Sequence, residues 1–179
     1  MGNNRYDLDE LRSKSLAWDQ YIEEVENAPE LQKRRYNGVA SPELEQLSEV
    51  RVPFEMAFLL SSRHCVDCAW SVPQIVRVLH HISNLEVRLA FREDYPELQD
   101  VMLTNGKRAV PKLLLLHGNG EEVASWGPRP ASIQRYVEAS VGKIERSEWY
   151  PEVLKYYRAK GEEDLLQEIL SLVHPAKQA

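Results

Sequence analysis

The chain is 179 residues long, 43% hydrophobic and 28% charged, with a formal net charge of −6. That balance fits one globular domain with appendages and excludes disordered or fibrous classes, while the negative charge repels polyanions and argues against nucleic acid as a partner. No apolar run approaches the ~20 residues of a membrane span, no secretory leader opens the sequence, and two cysteines are too few for a disulfide-stapled scaffold, so a cytoplasmic protein that contacts no membrane is expected.

Asp7 and Glu10 form a D-x-x-E start, and Leu8, Leu11, Trp18, Tyr21, Ile22 and Val25 follow at helical spacing. One helix is expected there, ending near Asn27-Ala28-Pro29. A charged link over 30–38 leads to Ser41-Pro42, an N-cap and first-turn proline that open a short helix to Glu49. Residues 1–50 read as an N-terminal helical extension. Residues 54–60 are apolar apart from Glu55, the pattern of a strand covered on both faces. Ala69, Val72, Ile75, Val76, Leu79 and Ile82 then recur at three or four, which predicts a helix after Cys65. Leu85, Val87, Leu89 and Phe91 alternate with charged residues, as in a half-exposed strand.

Asp94-Tyr95-Pro96-Glu97 combines a capping box with a first-position proline, so a helix is expected through about Leu103, ended by Asn105-Gly106. Two strand-like runs, 112–117 and 121–126, flank Gly118-Asn119-Gly120 and predict a β-hairpin. Gly127-Pro128-Arg129-Pro130 breaks the chain before a helix to about Val141. Two further helices, over 149–159 and 162–173 and separated by Gly161, make residues 147–175 a C-terminal helical extension. The core domain, 53–142, is thus α/β with the order β-α-β-α-β-β-α. Strands joined by crossover helices are expected to run parallel, with only the last strand of the hairpin antiparallel.

The two cysteines fall as Cys65-Val66-Asp67-Cys68, where the first strand of that domain meets its first helix. A C-x-x-C in a strand-to-helix junction is a redox signature. One helical turn brings residues three apart within disulfide reach, and free N–H groups with the helix dipole stabilise a thiolate on the first cysteine. Cys65 is the expected nucleophile. Cys68, one turn inside and more buried, is suited to resolving a mixed disulfide. Two other readings stand beside this one. A structural zinc site would need ligands beyond His64, and the other histidines are scattered, so no metal is expected. Two core cysteines at this spacing by coincidence would be small buried hydrophobes.

Residues 53–142 resemble the thioredoxin superfamily. The resemblance rests on Cys65-Val66-Asp67-Cys68 after an apolar strand, on Pro73 five residues after Cys68, and on Arg108-Ala109-Val110-Pro111-Lys112-Leu113-Leu114. More narrowly, residues 103–112 and Trp126-Gly127-Pro128-Arg129-Pro130 are similar to a bacterial thioredoxin-like subfamily with extra terminal helices, over about residues 40–175. The resemblance implies a thioredoxin fold with strand order 2-1-3-4 and a cis Val110–Pro111 peptide facing the cysteines. It also implies that Val110 and Pro111 pair with an incoming substrate strand, and that Pro73 bends the active-site helix. On residues alone, a trans proline opening a strand is the better reading of Pro111, and it is the resemblance that favours cis.

The sequence departs from the family pattern in the motif itself, which reads His64-Cys65-Val66-Asp67-Cys68 rather than Trp-Cys-Gly-Pro-Cys. Many thioredoxins carry a buried aspartate six residues before the first cysteine; Leu59 stands there, and Glu55 is the only acid on that strand. His64, when protonated, would favour a thiolate at Cys65, whereas Asp67 opposes it. Trp126 reads as a core residue at a strand end before a rigid connection; the alternative is that Trp126 or Arg129 lines the surface beside the cysteines. The function expected is thiol–disulfide exchange through a Cys65–Cys68 dithiol, without organic cofactor or metal. Its partners would be a disulfide-bearing protein or small thiol and an electron donor. The alternative is a binding module that keeps the fold with little turnover.

Overall fold

The computed structural model describes residues 4–38 and 42–174. The expected Ser41 cap and the last residue of the 147–175 segment lie outside them. Four strands, β1 (Met56–Ser61), β2 (Glu86–Phe91), β3 (Lys112–Leu116) and β4 (Glu122–Trp126), form one mixed sheet in the order β2-β1-β3-β4. Every residue of β1 and β3 is buried, which explains why both, apart from Ser61 and Lys112 at their ends, read as continuous apolar runs rather than alternating ones.

The direction of β3 differs from the expectation. β1 and β2 are parallel, but β3 is antiparallel to β1, pairing Leu60 with Lys112 and Met56 with Leu116. β4 is antiparallel to β3 and therefore runs with β1. The cause is the connection after β2. Its helix, α6 (Leu98–Val101), has only four residues, a rise of about 6 Å against about 20 Å for a six-residue strand. The chain stays at the end of the sheet where β1 and β2 finish, and β3 enters from there. This reversal carries Val110 and Pro111 to the loop that follows β1; a parallel β3 would have begun at the far end.

The expected capping box at Asp94 does not form, because its carboxylate is taken by Arg63, with both oxygens at 2.8 Å from the guanidinium. Glu97 is paired with Lys14 at 2.7 Å. Asn105 and Gly106, at φ +51° and +74°, do not end a helix. Thr104 and Lys107 exchange N–H···O bonds of 2.9 and 3.0 Å around them, the geometry of a two-residue hairpin turn.

The N-terminal segment also departs from a single helix. It folds as α1 (Leu8–Ser13) and α2 (Trp18–Glu24), because Leu16 turns extended and exchanges backbone bonds of 2.7 and 2.9 Å with Leu89 on β2. At the opposite edge, Asn4 and Tyr6 bond to Glu122 and Gly120 of the hairpin. The extension thus covers both open sheet edges. The expected charged link is instead a helix, α3 (Pro29–Gly38), opened by its first-position proline and packed on α5 (Val66–Leu79). Trp18 stacks on Tyr21 and Tyr36, and Tyr21 on Phe91, at 4.8–5.7 Å. A short α4 (Pro42–Gln46) and a 3₁₀ turn lead into β1.

After β4, α7 (Ala131–Ser140), α8 (Arg146–Tyr156) and α9 (Glu162–Val173) follow. No break occurs at Gly161. α8 and α9 are joined through a π-helical turn, Tyr157–Gly161, in which Gly161 is helical at φ −61° and ψ −28°. A Cβ there would stand 2.9 Å from the Tyr157 ring, so the tightness of the turn, not a chain break, accounts for the glycine. α9 packs on α5, while Ile133, Val137, Trp149, Val153 and Tyr157 form a second small core against Trp70. No helix among the described residues is long and apolar enough to cross a membrane.

Candidate functional site

The loop from Ser61 to Cys65 is fixed from both sides. Ser62 Oγ donates to Glu93 at 2.6 Å, and Arg63 lies 4.1 Å over the Phe91 ring while pairing with Glu24 and Asp94, each at 2.8 Å. Asn27 donates its backbone N–H to the Arg63 carbonyl (2.9 Å) and its side-chain amide to the His64 carbonyl (3.1 Å). Cys65 then takes the N-cap position of α5, with extended backbone, its carbonyl accepting the Ala69 N–H at 3.0 Å. Three residues on, Cys68 faces inward and is fully buried; Cys65 is half-buried, and both are free thiols.

Cys65 Sγ lies 3.8 Å from the Val110 carbonyl oxygen, and the Val110–Pro111 peptide is cis. The Cys65 thiol is held below its ordinary value, chiefly by the hydrogen bond it receives from the Cys68 thiol; burial and the charge of Asp67 work against that shift. Burial pushes Cys68 well above the ordinary value, and its donation to Cys65 adds to this, opposed by a hydrogen bond from the Ser61 hydroxyl. Ser61 is itself 2.9 Å from the hydroxyl of buried Tyr21 on α2. One thiol is therefore disposed to ionise and the other to keep its proton.

A family model described as thioredoxin matches residues 15–146. The chain belongs to the thioredoxin family. Among solved structures it is similar to a protein of unknown function from Pseudomonas aeruginosa, at 13% identity over 96% of this chain and 93% of that one, with a TM-score of 0.55. It is similar also to an HIV epitope-scaffold protein, at 13% identity, the same coverage and a TM-score of 0.57. At that identity these likenesses show the fold. No curated protein matches the chain.

Of the other residues singled out in this thioredoxin-family sequence, Asp67 is the charged group buried between the two cysteines. It is 5% exposed, and Arg129 grips both its oxygens, Nε to Oδ1 at 3.0 Å and a terminal nitrogen to Oδ2 at 2.5 Å. The Tyr157 hydroxyl donates to Oδ1 at 2.9 Å. Pro73 lies buried inside α5, where its missing N–H leaves the Ala69 carbonyl without a helical partner. His64 is exposed, its Nδ1 directed to Glu26 at 3.5 Å. Leu59, at the family's aspartate position, is fully buried in β1.

Two residues are not brought to the cysteines. Glu55 precedes β1 at the other end of the strand, exposed and beside Gly118. Trp126 is buried, and its Nε1 donates to Glu168 on α9 at 2.6 Å; Arg129, three residues on, is what reaches the motif. Nothing in the sequence assigns Tyr157, Tyr21 or Ser61 to the site. Tyr21 sits in an apolar helical stripe, and Tyr157 is 90 positions from Asp67, so neither carries a local signal. Among the described residues, no group of three or more His, Cys, Asp or Glu is arranged to hold a metal ion.

Gly127 connects this site to the hairpin. At φ +122° it occupies backbone space that residues with side chains rarely adopt, and a Cβ there would collide with the Pro111 carbonyl oxygen. Gly127→Ala is expected to displace the start of β3 and to cost about 2 kcal/mol or more, the scale of a forced backbone conformation. A urea unfolding midpoint equal to that of the unaltered chain would show that the segment has room after all.

Proposed function

We propose that this thioredoxin-fold chain is a thiol–disulfide oxidoreductase working through Cys65 and Cys68. The observation that carries the reading is the division between the two thiols. Cys65 is half-buried, at a helix N-terminus and held below the ordinary thiol value; Cys68 is fully buried one turn inside and disposed to keep its proton. In the reductive direction the Cys65 thiolate attacks one sulfur of a substrate disulfide. That S–S bond breaks, a Cys65–substrate disulfide forms, and the departing sulfur leaves as a thiolate that takes up a proton. Cys68 then gives up its proton and attacks Cys65 Sγ. The mixed disulfide breaks, the second substrate thiol is released, and two electrons have passed to the substrate, leaving Cys65–Cys68 oxidised.

Val110 and Pro111 form the wall against which an extended substrate strand would lie, since the Val110 carbonyl already faces Cys65 Sγ. Substrates are disulfide-bearing proteins or small disulfides. A dithiol reductant or small thiol returns the electrons, and the exchange calls on no organic cofactor or metal. The reductive direction suits the cytoplasm, where thiols are kept reduced.

Insulin reduction with dithiothreitol tests the reading. The protein is expected to shorten the lag before insulin chains precipitate, and Cys65→Ser to match dithiothreitol alone. Equal lags with and without the unaltered protein would instead favour a binding module built on the same fold.

A further inference from the structure

Asp67 is the group least suited to its position. It stands between the two cysteines of the motif, in the first turn of α5, and its negative charge opposes ionisation of Cys65. Water screens it little, because the side chain is only 7% exposed. A carboxylate so placed must be compensated by protein groups. The compensation comes from two segments distant in sequence. Arg129, from the stretch between β4 and α7, holds both carboxylate oxygens and is itself steadied by Gln134 Oε1 at 3.2 Å. Tyr157, from the π-helical turn, adds the bond to Oδ1 and is held flat on Trp70, ring centroids 5.3 Å apart and planes within 9°. Trp70 in turn carries the Arg35 guanidinium 3.4 Å from its ring centroid.

We infer that Arg129 and Tyr157 are positioning residues for the dithiol: Arg129 cancels the Asp67 carboxylate beside Cys65 and lends the site its positive charge, and Tyr157 holds the carboxylate in that pairing. The inference rests on the oxidoreductase reading and adds that the C-terminal helices, through the π-helical turn, set the reactivity of Cys65. The ionisable groups facing Cys65 are Cys68 and Asp67 on α5, Tyr21 on α2, Arg129 after β4 and Tyr150 on α8. Both tyrosines are shifted upward, first by burial, and stay neutral around pH 7. Asp67 and Arg129 are the two that carry charge. Burial alone would lower Arg129, but the adjacent Asp67 and the attraction of Cys65 hold it above its ordinary range.

The two charges have opposite signs, so their removal has opposite effects, which a purely structural pair would not give. The measurement is the rate of iodoacetamide alkylation at Cys65 across pH, read by mass spectrometry on the reduced full-length chain, with melting temperatures of each variant alongside. At pH 7, Arg129→Gln is expected to slow alkylation about tenfold and Asp67→Asn to speed it about tenfold, the scale of one neighbouring charge. The double variant should fall between them, and Arg129→Lys should recover most of the rate. Tyr157→Phe keeps the stack on Trp70 and tests the clamp in a chain expected to fold; a slowing of about threefold is expected. Rates that move the same way in both single variants overturn the inference, as do rates within twofold of the unaltered protein in Tyr157→Phe and Arg129→Gln. If the unaltered protein reduces insulin while these profiles stay fixed, the inference alone fails. If the profiles move as expected and insulin is not reduced, the positioning stands and the oxidoreductase reading fails.

Discussion

Cys68→Ser is expected to leave a protein that attacks disulfides once and then stalls, joined covalently to its partner through Cys65. The reason is spatial. Cys65 is the half-buried cysteine, facing the Val110 carbonyl at 3.8 Å, so an incoming disulfide meets it before the fully buried Cys68. Cys68 is fully buried behind it and reaches the mixed disulfide from the protein side. A serine hydroxyl at 68 fits the space of the thiol but cannot displace a sulfur. Incubated with oxidised insulin and quenched with acid, Cys68→Ser should run on a non-reducing gel as an adduct that dithiothreitol removes. Mass spectrometry should place the bond at Cys65. Cys65→Ser should give no adduct, and the unaltered chain little, because resolution is intramolecular. Equal trapping by both single variants, or an adduct at position 68, would reverse the assigned roles.

Much of the frame was legible because periodicity reports burial. The apolar runs in β1 and β3, the three-and-four spacing of α5 and the alternation in β2 each follow from which faces are covered. What stayed hidden depended on partners far along the chain. Leu16 sits in a helical stripe, yet its backbone is claimed by Leu89, and one expected helix becomes two. Asp94 has a capping-box spacing, yet Arg63 takes its carboxylate. The direction of β3 turned on the length of α6, an element whose boundaries the same misplaced cap had stretched. That error matters most for function, since only an antiparallel β3 begins beside the cysteines.

The site divides in the same way. Cys65 and Cys68 are legible because a spacing of three at a strand-to-helix junction is a local property, and Val110-Pro111 because the flanking segment carries a family pattern. Glu55 stands out in the sequence as the only acid on the first strand, which says nothing of the end of the strand at which it lies. Arg129 enters the sequence reading only as an alternative beside Trp126, with no partner named, and Tyr157 does not enter it at all. Their partner Asp67 is 62 and 90 residues away, and the π-helical turn that presents Tyr157 reads in sequence as a glycine break. His64 shows the converse: adjacency to Cys65 suggested a role, and the structure turns its ring to Glu26.

Alkylation of the reduced protein between pH 6 and 9 is expected to label Cys65 and to leave Cys68 almost untouched. Cys65 is held below the ordinary thiol value of 9.0, so its thiolate fraction, and its rate, should level off at lower pH than in a free thiol. Cys68 is pushed above that value by burial and is closed to reagent. The two shifts run in opposite directions, so Cys65 carries the larger thiolate fraction and should react much the faster at pH 7. In denaturant the difference should vanish. The same shift carries a stability consequence with a definite sign. Cys68 ionises in the unfolded chain near pH 9 but not in the folded one, so its contribution is fully present below that pH and is lost as pH rises towards the folded value. Cys65→Ser isolates this contribution: its melting temperature should fall above pH 9 more steeply than that of Cys65→Ser/Cys68→Ser. Parallel melting curves for the two, or rapid labelling of Cys68 at pH 7, would show that the second thiol is neither shielded nor held protonated. The order of events at the dithiol would then have to be assigned anew.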